Sequence, residues 1–285
     1  MSGIAHAEPR RIDIVRGEFA KLPAFIRRDL LTLLSYRMGF VSDWIGIFFQ
    51  VFLLYFIGKM VDTSQLPTFG GRSVTYLEFA AVGIALGVFV QIGLARVSTA
   101  VRTEQMIGTL ESLLVTPTAP ATIQLGSAMF DLVYIPLRTS VFLVAVAAVF
   151  GLHFSGGGIL PAAIVLLVFA PVVWGLGLMS AAGVLTFRRG EGMIGIGASL
   201  LALSSGAYFP LTLLPSWLAT VAQLNPLAIA LKSMRDAALG GAGWTVVPHA
   251  LAVLVPSGAV ALVLGSIAFR LALARERRLG TLGLY

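Results

Sequence analysis

Six apolar runs dominate this sequence and restrict what it can fold into. A helix that crosses a bilayer needs about 20 mostly apolar residues. Runs of about that length lie at 39–60, 77–100, 121–151, 159–187, 192–209 and 246–270. Only 12% of the residues are charged, whereas a soluble domain has about 25%. We therefore predict an all-α integral membrane protein with six transmembrane helices in a single domain, residues 1–285.

The basic residues predict how these helices are oriented. Lysine and arginine concentrate in the cytoplasmic loops of membrane proteins. Six spans place both termini and the loops after spans two and four on one side, and 15 of the 20 basic residues lie there. They are Arg10, Arg11, Arg16, Lys21, Arg27, Arg28, Arg37, Arg96, Arg102, Arg188, Arg189, Arg270, Arg275, Arg277 and Arg278. We expect residues 1–38 and 270–285 in the cytoplasm, where their charge favours anionic lipid headgroups over nucleic acid.

A stripe of apolar side chains at spacings of three and four precedes the first span. Its members are Val15, Phe19, Leu22, Ile26, Leu30 and Leu33. This spacing is typical of an amphipathic helix. We predict an interfacial helix within residues 1–38 that lies along the inner leaflet. The alternative is a helix packed on a soluble domain, and we identify no such domain in the sequence.

The segment 209–241, between spans five and six, is too apolar for an ordinary loop. Three prolines interrupt it, at Pro210, Pro215 and Pro226. Proline begins helices well and interrupts them badly, so we expect Pro215 and Pro226 each to open a short helix. We predict a re-entrant helical hairpin that enters from the extracytoplasmic side, with Lys232, Arg235 and Asp236 at a wet end of its second helix. The alternative is a pair of helices lying flat on that surface.

A polar island, residues 104–117 (EQMIGTLESLLVTP), lies within the cytoplasmic segment 101–118 between spans two and three. Its two glutamates are seven residues apart, two helical turns, so both can face the same side. Ile107, Leu110 and Leu114 form an apolar face at helical spacing. This pattern suits contact with a soluble partner, but it also suits a solvated helix that rests on the bilayer.

We find no convincing motif for catalysis or cofactor binding in this sequence. It has no cysteine, and its histidines, His6, His153 and His249, have no ligand partner at metal-binding spacing. The G-x-G-x-x-G match at 190–195 opens an apolar run rather than a βαβ unit, so we take it as accidental. No G-x-x-x-x-G-K-[ST] phosphate loop occurs. We expect no enzyme activity, metal or cofactor on this chain; if ATP drives it, another polypeptide binds the ATP.

Several side chains within the predicted spans are candidates for a translocation path. Asp131 and Arg138 share a face of the third span, about 10 Å apart along the axis, and charged groups within spans usually face protein or water. The full candidate set is Phe49, Phe52, Tyr55, Asp131, Arg138, Tyr208 and Phe209. Structural pairing for the charges and lipid contact for the aromatic rings are the alternatives. Asp131 also leaves open a stand-alone secondary transporter or channel driven by an ion gradient.

Two segments of the chain together resemble the permease subunit of ABC-2-type exporters. In the island the matching residues are Glu104, Gly108, Thr109, Leu110, Glu111 and Pro117. In the stretch 205–241 they are Gly206, Phe209, Pro210, Leu214, Pro215, Trp217, Asn225, Pro226 and Arg235. The resemblance extends over nearly the whole chain.

This resemblance implies a function and a set of partners. In the family the loop between spans two and three is a coupling helix seated on the ATPase. The implied coupling residues are Glu104, Ile107, Gly108, Thr109, Leu110, Glu111 and Leu114. Two permeases, identical or closely related, would work with two ATPase subunits that bind ATP and Mg²⁺, in a bacterial or archaeal inner membrane. The expected cargo is a hydrophobic drug, a lipid or a lipid-linked polysaccharide.

Overall fold

The computed structural model describes residues 37–61, 66–107, 120–187 and 190–279, together with positions 27, 30, 31 and 35. Within these residues the protein is all-helical, with 83% helix and no strand. The α-helices whose bounds the described residues define are α1 (Arg37–Gly58), α2 (Tyr76–Ile107), α3 (Pro120–Phe150), α4 (Ile159–Phe187), α5 (Gly190–Ser204), α6 (Ser216–Gln223), α7 (Pro226–Ala238) and α8 (Val246–Leu279). The predicted all-α class is therefore confirmed.

Three segments of the described chain are long and apolar enough to cross a membrane. They are Tyr76–Ala95, Gly156–Thr186 and Gly243–Glu276, at the predicted second, fourth and sixth spans. Shorter apolar helical segments, Phe48–Gly58, Tyr134–Phe150 and Gly195–Ser204, lie at the other three predicted spans. The interfacial helix predicted within 1–38 lies almost wholly outside the described residues.

Close helix packing brings α4 and α8 together along much of their length. A Cβ atom on Gly175 of α4 would overlap the backbone and side chain of Ala261 on α8. Small residues at such a crossing let two helix backbones approach closely, which is a main source of packing energy between membrane helices. On its other side α4 packs against α2.

Two apolar clusters hold the remaining helices. The larger one includes Phe79 of α2, Phe169 of α4 and Leu231 of α7, all almost fully buried. The second joins α1, α2 and α3, with Val51 and Phe142 among its members. α2 contributes to both clusters, and α3 also reaches the larger one through Ile135.

The two short helices α6 and α7 begin where the prolines predict. Pro215 immediately precedes α6, and Pro226 is the first residue of α7. Asn225 caps α7, because its side chain accepts a hydrogen bond from the Leu227 amide. Such a cap stabilises a helix by about 1 kcal/mol. Most of α7 is buried against α2 and α4, whereas α6 is largely exposed.

Candidate functional site

Arg235 on α7 is buried, with 5% of its surface exposed. Its guanidinium donates to the Phe79 carbonyl from Nε and Nη2, at 3.2 and 2.9 Å. Nη1 donates to the Gly206 carbonyl at 2.9 Å, and Nη2 also donates to the Ala207 carbonyl at 3.0 Å. The guanidinium carbon lies 3.5 Å from the centre of the Phe79 ring, in cation–π contact. One side chain thus joins α7, the first turn of α2 and the segment between α5 and α6.

The predicted wet end for Arg235 is therefore wrong. Arg235 follows Leu231 by four residues and precedes Ala238 by three, so it lies on the buried stripe of α7, while Lys232 is exposed. That spacing is visible in the sequence and is the signal that could have identified its burial. Arginine stays protonated in proteins, so these four hydrogen bonds stabilise a buried cation.

A second polar network lies one residue before Phe79. The Glu78 carboxylate is 2% exposed and accepts hydrogen bonds from the Thr75 amide at 2.9 Å and the His153 amide at 3.1 Å. Arg72 forms an ion pair with it and donates from Nη1 to the His153 carbonyl at 2.8 Å. At the start of α2 the Glu78 carboxylate accepts from the Thr75 amide and the Thr75 hydroxyl oxygen accepts from the Glu78 amide, which is a reciprocal cap. This network ties α2 to the connection between α3 and α4.

We call these two networks together the α2 anchor, made of Arg72, Thr75, Glu78, Phe79, His153 and Arg235. The anchor holds the first turn of α2 from both sides. From there α2 continues without interruption for 32 residues, about 48 Å at 1.5 Å per residue. Its last turn carries Glu104 and Ile107, the beginning of the polar island. One continuous helix thus connects the α2 anchor to the segment predicted to contact a partner.

The predicted coupling residues fall at the limit of what the structure describes. The backbones of Glu104 and Ile107 are helical, in the last turn of α2. The other five residues, Gly108, Thr109, Leu110, Glu111 and Leu114, lie outside the described residues. Their role in coupling stays a prediction.

The candidate path residues are distributed over three regions. Phe49 and Phe52 lie on an exposed face of α1, at 66% and 45% exposure. Tyr55 and Tyr208 each pack against the cluster that joins α1, α2 and α3, and the Tyr208 carbonyl accepts a hydrogen bond from the Tyr76 hydroxyl.

The remaining three path candidates lie on α3 and after α5. Arg138 is half-buried on α3, and Phe209 is half-buried after α5. Asp131 belongs to α3, but its side chain is outside the described part. A path role for the seven residues stays a prediction.

The described residues contain no group of three His, Asp or Glu side chains positioned to hold a metal ion. Glu78 and Arg235 instead pair with backbone groups at the start of α2 and in the segment between α5 and α6. The chain is thus a helical membrane protein of several spans. Its sequence matches the family model described as ABC-2 type transporter over residues 22–239. The chain belongs to the ABC-2 type transporter family, as the resemblance indicates. No curated protein gives a significant match.

Family membership also assigns the general role of this chain in a transporter. The ABC-2 domain is the transmembrane component and is not itself catalytic. Membership implies an ABC ATPase subunit as partner. The helices long enough to span a bilayer agree with a membrane location.

Proposed function

We propose that this chain is the permease subunit of an ATP-driven exporter. It would move an amphipathic or lipid-linked substrate out of the cytoplasm or the inner leaflet. A separate ABC ATPase would bind ATP and Mg²⁺. Two permeases, identical or closely related, would combine with two ATPase subunits in a bacterial or archaeal inner membrane. The match to the family model supports the permease role.

The proposed topology has six spans with both termini in the cytoplasm. Besides the three long apolar segments, α1 and α3 have 22 and 31 residues, enough to cross about 30 Å of hydrocarbon. α5 has only 15 residues, and the chain continues from it into the segment that Arg235 holds. The distribution of arginine and lysine supports the orientation.

α6 and α7 would form the re-entrant hairpin on the extracytoplasmic side. Backbone outside helices is tolerated at membrane depth only where protein or a water-filled cavity surrounds it. The carbonyls of Gly206 and Ala207 meet this condition, because the buried Arg235 donates to both. The burial of α7 against α2 and α4 supports a hairpin over helices lying flat on the surface.

The observation that carries the coupling proposal is the continuity of α2 from the anchor to the island. Closure of the ATPase dimer would displace the island, and a continuous helix passes such a displacement along its axis. At the far end, the anchor would transfer it to α7 and to the segment before α6. The extracytoplasmic side of the path would then open in response to nucleotide on the cytoplasmic side.

The test is co-purification with the ABC ATPase after Glu111→Lys or Gly108→Pro. We expect loss of the complex, or of transporter-dependent stimulation of ATP hydrolysis. Asp62→Lys makes the same charge change on the predicted opposite side and should leave both intact. If assembly and ATP hydrolysis both survive Glu111→Lys and Gly108→Pro, the coupling assignment is wrong. Transport in vesicles without any ATPase would favour the ion-gradient alternative instead.

A further inference from the structure

An apolar cavity of about 490 Å³ lies between α2, α4, α5, α7 and α8 and opens to the protein surface, where Val260 and Leu264 are 58% and 52% exposed. Val90, Phe169, Leu176, Leu201, Val260 and Leu264 are among its lining residues. The volume falls within the range of small-molecule sites, roughly 300–1,000 Å³. None of the six path candidates whose side chains the structure describes lines it, so it is separate from the path that those six residues suggest.

The two polar side chains that line the cavity, Asn225 and Ser257, already form hydrogen bonds within the protein. The Asn225 amide nitrogen donates to the Leu201 carbonyl at 3.2 Å and to the Ser204 hydroxyl at 3.0 Å. The Asn225 side-chain oxygen accepts from the Leu227 amide at 2.9 Å. The Ser257 hydroxyl donates to the Val253 carbonyl at 2.7 Å. Apolar cavities retain hydrocarbon rather than water, so the lining selects an alkyl chain.

The position of the cavity along its helices places it within the hydrocarbon layer. On α4, Phe169 and Met179 lie ten and 20 residues after Ile159, about 15 and 30 Å along the axis. On α8, Leu264 lies 18 residues after Val246, about 27 Å along. If α4 and α8 begin on the extracytoplasmic side, as proposed above, the cavity occupies the middle and cytoplasmic half of a bilayer about 30 Å thick.

A cationic group follows on the same face of α8. Arg275 lies 11 residues after Leu264, which is three helical turns and about 16 Å further toward the cytoplasm. It is exposed. A long arginine side chain at this height reaches the level of lipid phosphates. This face of α8 therefore has an alkyl site within the bilayer and, further toward the cytoplasm, a cationic partner for a phosphate. The acyl chain and the phosphate of a phospholipid follow in the same order.

We propose that this cavity binds one acyl chain of a cytoplasmic-leaflet phospholipid whose phosphate pairs with Arg275. The lipid is a resident component of the permease rather than its cargo. Its assignment to the cytoplasmic leaflet rests on the orientation in the proposed function, whereas the alkyl site itself does not depend on ATP coupling.

Photo-crosslinking tests this proposal on the full chain. The protein is reconstituted without nucleotide in phosphatidylcholine vesicles with a minor fraction of phosphatidylglycerol that carries a diazirine in one acyl chain. We expect crosslinks to concentrate on Leu201, Val260 and Leu264. Ser257→Phe, which fills the cavity, should abolish them, and Val255→Phe, on the opposite and exposed face of α8, should not. Val260→Trp replaces Ser257→Phe if that variant does not reconstitute.

Two further measurements test whether Arg275 binds the lipid headgroup and whether the bound lipid is resident or transported. Arg275→Gln should reduce crosslinking, and Arg275→Lys should restore it. Crosslinks spread evenly over the lipid-exposed helices, or unchanged by both filling variants, would overturn the proposal. With the ATPase and ATP present, the transfer of phosphatidylglycerol between leaflets is measured in parallel. ATP-dependent transfer that Ser257→Phe abolishes would make the cavity a cargo site and overturn the resident assignment.

Discussion

Replacing Arg235 with methionine tests the α2 anchor. The substitution removes the donor to the carbonyls of Phe79, Gly206 and Ala207. The Phe79 carbonyl lies within α2 and retains its helical partner, so the Gly206 and Ala207 carbonyls are the ones left unpaired. Each such buried group costs about 1–3 kcal/mol. The lost cation–π contact adds about 2 kcal/mol.

Relief of the buried charge offsets part of this loss, because taking a guanidinium out of water is costly. We therefore expect a net local destabilisation of about 3 kcal/mol, less than the sum of the lost contacts. At 1.4 kcal/mol per factor of ten, this corresponds to a roughly 100-fold larger equilibrium constant for opening of the segment. Arg235→Lys keeps the charge but not the planar fork of donors, and it should give an intermediate value.

Hydrogen–deuterium exchange of the reconstituted protein measures this opening on peptides that cover residues 205–240. Lys232→Met is the matched control, because Lys232 lies on the exposed face of the same helix. An exposed substitution of this kind shifts stability by less than about 0.5 kcal/mol. Equal exchange in Arg235→Met and Lys232→Met would refute the conclusion that Arg235 holds this region together.

Three further predictions follow from the packing and the caps. Glu78→Gln should destabilise the start of α2 by about 1–3 kcal/mol, because it weakens the pair with Arg72, and a thermal unfolding scan in detergent measures the loss. Gly175→Val should cost about 1–3 kcal/mol or more by forcing α4 away from α8. Gly183→Val, where a Cβ meets no atom within 4 Å, should unfold near the wild-type temperature. Asn225→Ala should cost about 1–3 kcal/mol, because it removes the cap of α7 and the donor to Leu201 and Ser204, and it should raise exchange in the first turn of α7 and at the end of α5.

Hydropathy predicted the long helices well because the bilayer imposes one simple requirement on them. A segment that crosses it must satisfy its own backbone and offer apolar side chains over a fixed length. The short helices α6 and α7 were also predictable, since Pro215 and Pro226 act on local backbone geometry. These features depend only on residues that are close in sequence.

The α2 anchor was harder to predict because its partners are distant in sequence. Arg235 bonds to a carbonyl 156 residues away, and Glu78 bonds to an amide 75 residues away. From composition alone, a charged residue near a helix end is assigned to water, since isolated burial is costly. Only the folded arrangement supplies the carbonyls and amides that offset this cost. The coupling residues from Gly108 to Leu114 lie outside the described structure, so their assignment still depends on the family resemblance.

Because α2 is unbroken, the rotation of its last turn about the helix axis is fixed relative to its first turn. A helix turns about 100° per residue, so the orientation of Glu104 about the axis is locked to that of Glu78, 26 residues before it. One residue inserted near Gln91 would lengthen α2 by only about 1.5 Å but would rotate the island by about 100°. Seven inserted residues would lengthen it by about 10 Å and nearly restore the original facing. The one-residue insertion changes mainly the rotation of the island, and the seven-residue insertion changes mainly its distance along the axis. Comparing them shows which of the two quantities matters for contact with an ATPase partner.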